Sequence, residues 1–322
     1  MGRIEALAVS VRKGQRKTCR DRVRFIVDHG IEGDAHAGPW HRQVSLLADE
    51  DIAAMRAHGL PELEYGDFAE NVVLSGINLD ALGLGSRIQL GGEVQLQITQ
   101  IGKQCHTRCH IYDTVGDCIM PRRGLFARVV AAGQAAVGDP AVAVHLVPRS
   151  QLQAVVLTIS DRCSRGEAED TAGPGVAELL RRELGAHVYA VEVLPDERPQ
   201  IADRLRHYCD GHSIDLVATV GGTGFSPRDV TPEATREVVD RLAPGLDEAM
   251  RAASLQQAPH AMLSRGASGI RQSTLIVNLP GSKRAAEENL RVVLTALPHG
   301  LAKLRGDTSE CGRPLRTDAG HV

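Results

Sequence analysis

Aromatic residues are scarce, 3% of 322, so any core this chain builds is aliphatic. No apolar run approaches the roughly 20 residues that cross a bilayer as a helix. Charge of one sign is missing as well. The 37 Lys and Arg against 40 Asp and Glu leave a net charge of -3, which supplies no global reason to expect nucleic acid or membrane as a partner. The opening stretch "MGRIEALAVSVRKGQ" lacks the apolar centre of a signal peptide. Its Met-Gly start is a weak myristoylation cue, opposed by Glu5 and by the lack of Ser or Thr at position 6. Seven cysteines in a chain this long do not make a small disulfide framework, and an odd number cannot all pair. The cytosol is the expected compartment. What is present is 43% hydrophobic residues and 33 glycines, which implies aliphatic packing and many tight turns. A domain takes about 100–200 residues, so two domains are expected.

The two halves have different patterns. Up to about residue 147 the chain runs in short alternating segments bounded by glycine or aspartate, such as "RVRFIVDHG", "RQVSLLA", "RIQLGG" and "EVQLQITQIG". Period-two alternation is the mark of strands. Only "ADEDIAAMRAHG" has clear helical spacing here, with a second helix expected around "GLFARVVAAG". A mainly-β barrel or sandwich over 1–148 follows. After Pro148, Arg149 and Ser150 the pattern changes. Strand-like "AVVLTISD", "HVYAVEVLPDE", "IDLVATVGG" and "STLIVNLPGS" alternate with helix-like "GPGVAELLRREL", "RPQIADRLRHYCD" and "KRAAEENLRVVLTAL". Strands alternating with helices over short links predict an α/β domain over 149–322, with a mostly parallel sheet covered by helices. No internal repeat is found, and the polar tail after Gly306 is expected to be loose.

In an open parallel sheet, ligands bind beyond the carboxyl ends of the strands. Four loops emerge there: "TISDRCSRGE", "LPDER", "VGGTGFSPRD" and "NLPGSK". The third crowds Gly221, Gly222 and Gly224 around Thr223. Without Cβ atoms, such a turn lets backbone N–H groups approach an anion, and a following helix N-terminus adds a favourable dipole. Thr231 is a suitable N-cap and Pro232 a suitable first helical residue. The loop matches neither common phosphate-binding glycine motif, and a tight turn requiring positive φ explains it equally well. The neighbouring acids tip the balance. Asp196 and Asp229 each follow a strand end, so both can face one cleft. Two carboxylates would repel a bare polyphosphate, whereas with Mg²⁺ between them they become ligands or orienters for phosphoryl or nucleotidyl transfer. Arg228 and Lys283 would offset charge on the departing phosphates.

The motifs "TISDRCSRGEAEDTAGP", "VLPDER", "VGGTGFSPRDVTPEAT", "AMLSRGASGI" and "LPGSKRAAEENL", in that order over about 153–305, resemble the molybdopterin adenylyltransferases, the MogA/MoaB-like domain. The resemblance implies Mg²⁺-dependent transfer of AMP from ATP to the terminal phosphate of molybdopterin, with release of pyrophosphate. It makes Asp196 and Asp229 the catalytic candidates and the expected Mg²⁺ ligands. Gly221, Gly222, Thr223 and Gly224 would line the nucleotide phosphates, and Ser160, Asp161 and Ser282 would bind pterin or phosphate. Ser282 also suits a helix N-cap, and Asp161 a cap of its own loop. Family members often show "LPGSP" or "LPGNP" where this chain has "LPGSK", which sets Lys283 apart. A homo-trimer built through the second half is also implied.

In the first half, "GKQCHTRCHIYDTVGDCIMPRRGLFARVV" holds Cys105, Cys109 and Cys118 with His106 and His110. Thiolates and imidazoles are zinc's usual ligands, but the spacing suits a zinc site poorly. A reactive thiol is favoured instead, with Lys103, Arg108, Arg122 and Arg123 able to lower its pKa and bind phosphate. Small buried cysteines are the alternative. "GIEGDAHAG", "HRQVSLLADEDI", "GDFAENVVLSGINL", "LGLGSRIQLGG", "CHTRC" and "RRGLFARVVAAGQAAVGD", spread over about 5–145, look like a MOSC domain. That family is implicated in binding molybdenum cofactor and carrying sulfur on a cysteine, and Cys105 is the matching position. "GKQC" stands where many members have an Arg-x-Pro-Cys form, and "FAEN" replaces "FGEN". His36 and Arg42 would line the same pocket with Lys103 and Arg108. Pyridoxal phosphate is associated with this family only through a desulfurase domain, for which this chain has neither length nor motifs. Sulfur would come from a separate cysteine desulfurase.

The expected protein is thus a cytoplasmic, two-domain enzyme of molybdenum cofactor biosynthesis. Its ligands are ATP, Mg²⁺ and molybdopterin or molybdenum cofactor. Its protein partners would be molybdenum-insertion proteins, a desulfurase and recipient molybdoenzymes. Two alternatives stay open: a non-catalytic cofactor carrier, and MOSC-linked detoxification of N-hydroxylated compounds.

Overall fold

The computed structural model describes residues 2–102, 119–212 and 214–309. Two compact units are present: Met1–Val155 with Gly185–Ala190 and Arg206–Ile214, and Val156–Leu184 with Val191–Leu205 and Asp215–Val322.

The first unit contains β1 (Gly2–Val9), β2 (Thr18–Cys19), β3 (Arg22–Ile26), β4 (Gly30–Ile31), β5 (Val44–Ala48), helix α1 (Asp49–Ala57), β6 (Val72–Ser75), β7 (Arg87–Leu90), β8 (Val94–Ile101), a short helix α2 (Met120–Arg123), β9 (Leu125–Ala131), β10 (Gly133–Ala136) and β11 (Pro140–His145). The main sheet runs β11-β7-β8-β9-β5-β6-β1-β2, and β11 also pairs with β1. Seven strands therefore close into a barrel, with β2 appended. The closing pair is antiparallel, Gly2 opposite Ala141 and Arg3 opposite Pro140. Closure removes the unpaired edges that an open β-sheet must protect. The barrel wall is aliphatic, as the composition requires: all five residues of β5 are buried. Beside it, α1 contributes Ile52 to a cluster with Leu47, Phe68, Val73, Met120 and Phe126. A small sheet, β10-β3-β4, accompanies the barrel.

One expectation fails here. "GLFARVVAAG" is a strand, β9, and not a helix. It lies between β8 and β5, antiparallel to both, and five of its first six residues are Leu125, Phe126, Ala127, Val129 and Val130, of which all but Val130 are buried. A strand in the middle of a sheet can be apolar on both faces, and so loses the alternation that marks a strand in sequence.

The second pattern gives β12 (Gln153–Ile159), α3 (Asp161–Ser164), α4 (Ala172–Leu184), β13 (His187–Leu194), α5 (Arg198–Gly211), β14 (Leu216–Val220), α6 (Thr231–Val238), β15 (Arg241–Leu242), α7 (Pro244–Leu255), β16 (Gly269–Arg271), β17 (Thr274–Leu279), α8 (Lys283–Leu294) and α9 (Leu297–Leu304). The sheet order is β13-β12-β14-β17-β16-β15. Strands β14 and β17 are parallel from Leu216 opposite Leu275 to Val220 opposite Leu279, whereas β16 and β15 add antiparallel at one edge. Every residue of β12, β14 and β17 is buried. That accounts for their unbroken apolar runs. Amphipathic helices cover the sheet, α4 through Val176, Leu179 and Leu180 and α8 through Ala286, Leu290 and Val293. Among the described residues, no helix is long and apolar enough to cross a membrane.

Candidate functional site

From β12 the chain steps to β13 on one side, then crosses back to β14 on the other. The loops leaving β12 and β14 thus diverge, which opens a crevice where the strand order reverses. The strand ends meet closely: Ser160 N donates to Leu194 O at 2.8 Å, and Gly221 N to Leu279 O at 3.0 Å. Gly221, at φ +107°, leaves no room for a side chain, because a Cβ would lie 2.4 Å from Ile159 O. Gly222, at φ +63°, is equally constrained: a Cβ would come within 2.3 Å of Thr231 Oγ1 and 3.1 Å of Asp196 Oδ1. The glycines are therefore needed both for backbone conformation and for close approach.

Thr231 does not cap α6. Val230 holds the cap position without a side-chain bond, and Thr231 is the first residue of the helix itself, its hydroxyl donating to Gly221 O at 2.9 Å. This bond staples the helix start to the glycine turn. Arg265, which sequence reasoning did not single out, fastens the other side of the turn. Its guanidinium donates to Gly224 O at 2.6 Å and Asp229 O at 2.5 Å and meets Glu233 at 2.5 Å. The only advance signal was its place in "AMLSRGASGI".

The acidic residues converge on this turn. Asp196 Oδ2 accepts from Asp161 N at 2.8 Å, and Asp161 Oδ1 accepts from Asp196 N at 3.0 Å. This reciprocal pair locks the β12 and β13 loops together and leaves Asp196 Oδ1 toward Gly222. Burial raises the pKa of Asp196 above the ordinary carboxylate value, and the charges of Asp161 and Asp229 raise it further. Asp229 Oδ2 accepts from Ser226 N at 2.9 Å, close to Gly224. Arg228 grips Asp161 through two bonds of 2.9 and 3.0 Å and Glu197 through one of 2.9 Å. The bidentate bond from Arg228 holds the Asp161 carboxyl below its usual range. Arg228 itself is raised by the same carboxylates.

Gly222, Thr223, Gly224, Asp229 and Ser282 line one cavity of about 610 Å³. Ser282 Oγ also caps α8 by accepting from Ala285 N at 3.4 Å, which is the cap role expected of it. Ser160 caps α3 by accepting from Cys163 N at 3.3 Å, and Asp161 is the first residue of that helix. Lys283 lies elsewhere. It lines a second cleft with Asp170, Arg182 and Glu287, its stem against the place a Gly175 Cβ would take.

In the first unit, His36 and Arg42 both meet Trp40: Trp40 Nε1 donates to His36 O at 2.7 Å, and the Arg42 guanidinium stacks 5.0 Å from the ring centre. Behind His36 lies a fully buried ion pair that the sequence did not reveal, Lys17 Nζ to Asp34 Oδ1 at 2.6 Å. Burial lowers the pKa of Lys17 despite Asp34. For Asp34 burial acts upward, but bonds from His36 and Lys17 and the Lys17 charge outweigh it and hold the group well below the ordinary range. Glu70, of "FAEN", is buried, accepts from Gly66 N at 2.6 Å and is pushed up to about 7 by that burial. Lys103, Cys105, His106, Arg108, Cys109, His110 and Cys118 lie outside the described residues.

Family models match both halves: "Probable molybdopterin binding domain" over residues 155–299 and "MOSC domain" over 33–142. A molybdopterin adenylyltransferase of Helicobacter pylori strain J99 is 42% identical over 153 residues, spanning 47% of this chain and 87% of that protein. The chain belongs to the molybdopterin-binding family of molybdenum cofactor biosynthesis, joined to a MOSC domain. The molybdenum cofactor synthesis protein cinnamon of Drosophila melanogaster is 40% identical over 154 residues, 48% of this chain but only 26% of that longer protein. Among solved structures, the molybdopterin biosynthesis enzyme MoaB of Thermus thermophilus shares 47% identity, covering 49% of this chain and 98% of its own, with a TM-score of 0.47.

Proposed function

We propose that the second unit transfers AMP from ATP to the terminal phosphate of molybdopterin. In this reaction a phosphate oxygen of molybdopterin bonds to the α-phosphorus as the bond to pyrophosphate breaks. The observation that carries the reading is the placement of the Asp196 carboxylate against Gly222, where the charge of Asp229 reaches it. Carboxylates and a side-chain-free turn meet there at the reversal of strand order. The adenylyltransferase activity of the Helicobacter relative, whose sequence this chain covers almost throughout, supports it.

The donor set fits Mg²⁺, a hard cation that takes oxygen ligands. Asp161 and Asp229 make Asp196 harder to ionise, a strain that a divalent cation relieves. Asp196 and Asp229 would hold the ion, which when bound polarises phosphoryl oxygens and offsets their charge. The chain's own groups do the rest. Amides of the 221–224 turn grip phosphate, and Arg265 and Thr231 keep that turn rigid. Arg228 fixes Asp161, and through it the position of Asp196. Ser160 and Ser282 offer hydroxyls toward pterin or phosphate, and the 610 Å³ cavity falls in the size range of small-ligand sites, about 300–1,000 Å³. Lys283 would act on charge only from its separate cleft.

The test is incubation of the protein with ATP, Mg²⁺ and molybdopterin, with mass analysis for the adenylylated pterin. Asp196→Asn and Asp229→Asn should each lower turnover by about 10²–10³-fold, as loss of a preorganised charge-stabilising group does. Pyrophosphate release at the wild-type rate in Asp229→Asn would refute the assignment.

For the first unit the reading is binding of the same cofactor, with Cys105 carrying sulfur delivered by a separate desulfurase. His36, Arg42, Lys103 and Arg108 would hold the cofactor's anionic groups. A persulfide mass shift on Cys105 after treatment with a cysteine desulfurase and cysteine is the expected result. A shift found only on Cys109 or Cys118 would remove Cys105 from that role. A domain boundary near residues 148–149, a cytoplasmic location, a homo-trimer, and hand-over to molybdenum-insertion proteins and recipient molybdoenzymes complete this reading.

A further inference from the structure

Three imidazoles converge within the first compact unit. One ring nitrogen each of His41, His207 and His212 lies within 4.8 Å of the others. Ring centres are 4.5 Å apart for His41 and His212, 4.7 Å for His207 and His212, and 5.7 Å for His41 and His207. His41 stands just before β5, and the other two lie at the end of α5 and just beyond it. We propose that His41, His207 and His212 form a binding site for a Zn²⁺ ion, with water completing its coordination.

Three features favour a ligand set over a simple stack of rings. First, the His212 ring is oriented. Its Nδ1 lies 2.6 Å from Thr99 O; a carbonyl can only accept, so Nδ1 carries the proton and Nε2 the lone pair. A backbone carbonyl bound to the far nitrogen is how proteins commonly fix a metal-binding imidazole. Second, His212 Nε2 and His207 Nε2 are 3.1 Å apart. Bonds of about 2.0–2.1 Å in a tetrahedron put two nitrogens about 3.3 Å apart, so this pair needs almost no movement. Third, His41 is also fixed in plane: Gln100 Nε2 donates to Gly102 O at 2.8 Å, which turns Gln100 Oε1 toward His41 Nε2 at 3.0 Å. Three nitrogen donors with one open position suit zinc better than a hard cation.

The full-length protein, stripped with a chelator and dialysed, is titrated with Zn²⁺ against a chromophoric competitor. One ion per chain should bind, and His41→Gln and His207→Gln, both at partly exposed positions, should each weaken it by at least about 100-fold. X-ray absorption at the zinc edge should give a shell of nitrogen and oxygen only. Binding unchanged in both histidine variants, a sulfur-containing shell, or zinc lost only on Cys105→Ser would place the metal elsewhere and overturn the proposal, as would failure to bind zinc at all.

Discussion

Replacing Gly222 by alanine tests whether the turn is bare by necessity. At φ +63° the left-handed backbone costs an L-residue about 1–2 kcal/mol. The added methyl would also sit 2.3 Å from Thr231 Oγ1, an oxygen held in place by its bond to Gly221 O. Moving it aside forfeits that bond, about 1 kcal/mol net. The expected loss is therefore about 2–3 kcal/mol. A second variant separates the two terms. In Gly222→Ala with Thr231→Ala the collision is gone while the backbone strain stays, so the double loss should fall short of the sum of the singles by about 1 kcal/mol. Hydrogen exchange of the β14 amides reports the second unit whatever the first unit does. Strict additivity, or a single-variant loss below about 0.5 kcal/mol, would refute the packing argument. Adenylyl transfer should fall too at temperatures where Gly222→Ala stays folded, because the methyl presses on Asp196 Oδ1.

Other consequences are open to measurement. Glu70 is raised from 4.5 to about 7, so in the folded state it binds its proton more tightly than in the unfolded chain. Its contribution is full below pH 4.5 and lost as pH rises through 7, a change on the order of 3 kcal/mol. Glu70→Gln should flatten that slope in thermal melts between pH 5 and 8, and an unaltered slope would exclude Glu70 as its source. Asp34→Asn strands Lys17 without its buried partner and should cost about 3–5 kcal/mol, read from hydrogen exchange in the barrel; a loss under about 1 kcal/mol would mean that the pair is hydrated. Arg265→Lys cannot reach Gly224 O, Asp229 O and Glu233 together. It should raise the KM for ATP about tenfold or more while moving kcat less, and the opposite split would make Arg265 a direct participant in the reaction.

The α/β half was legible because its signals are local. "AVVLTISD" and "IDLVATVGG" are buried on both faces and bounded by turn residues, and they became β12 and β14 nearly to the residue. The glycine turn and Asp196 stand just past strand ends, while Asp229 lies further along the same loop, before α6. What the sequence hid was pairing across distance. Arg265 reaches a turn some forty positions earlier, Lys17 meets Asp34 in a buried pair, and His41 meets His207 and His212. None of these leaves a trace in spacing. "GLFARVVAAG" misled because two-sided burial erased its alternation, and Thr231 because the helix begins on it, one residue past the cap position, with its hydroxyl donating to the turn carbonyl.

The barrel seam has a bearing on how this protein is made. Its first strand, β1, finds its last neighbour only at Pro140 and Ala141. On the ribosome, β1 must wait until Pro140 and Ala141 have been made before the ring can shut. Until then two unsealed borders stay available for mispairing. Deleting Gly2, Arg3 and Ile4 from β1 should therefore harm yield of the barrel well before it harms the glycine turn.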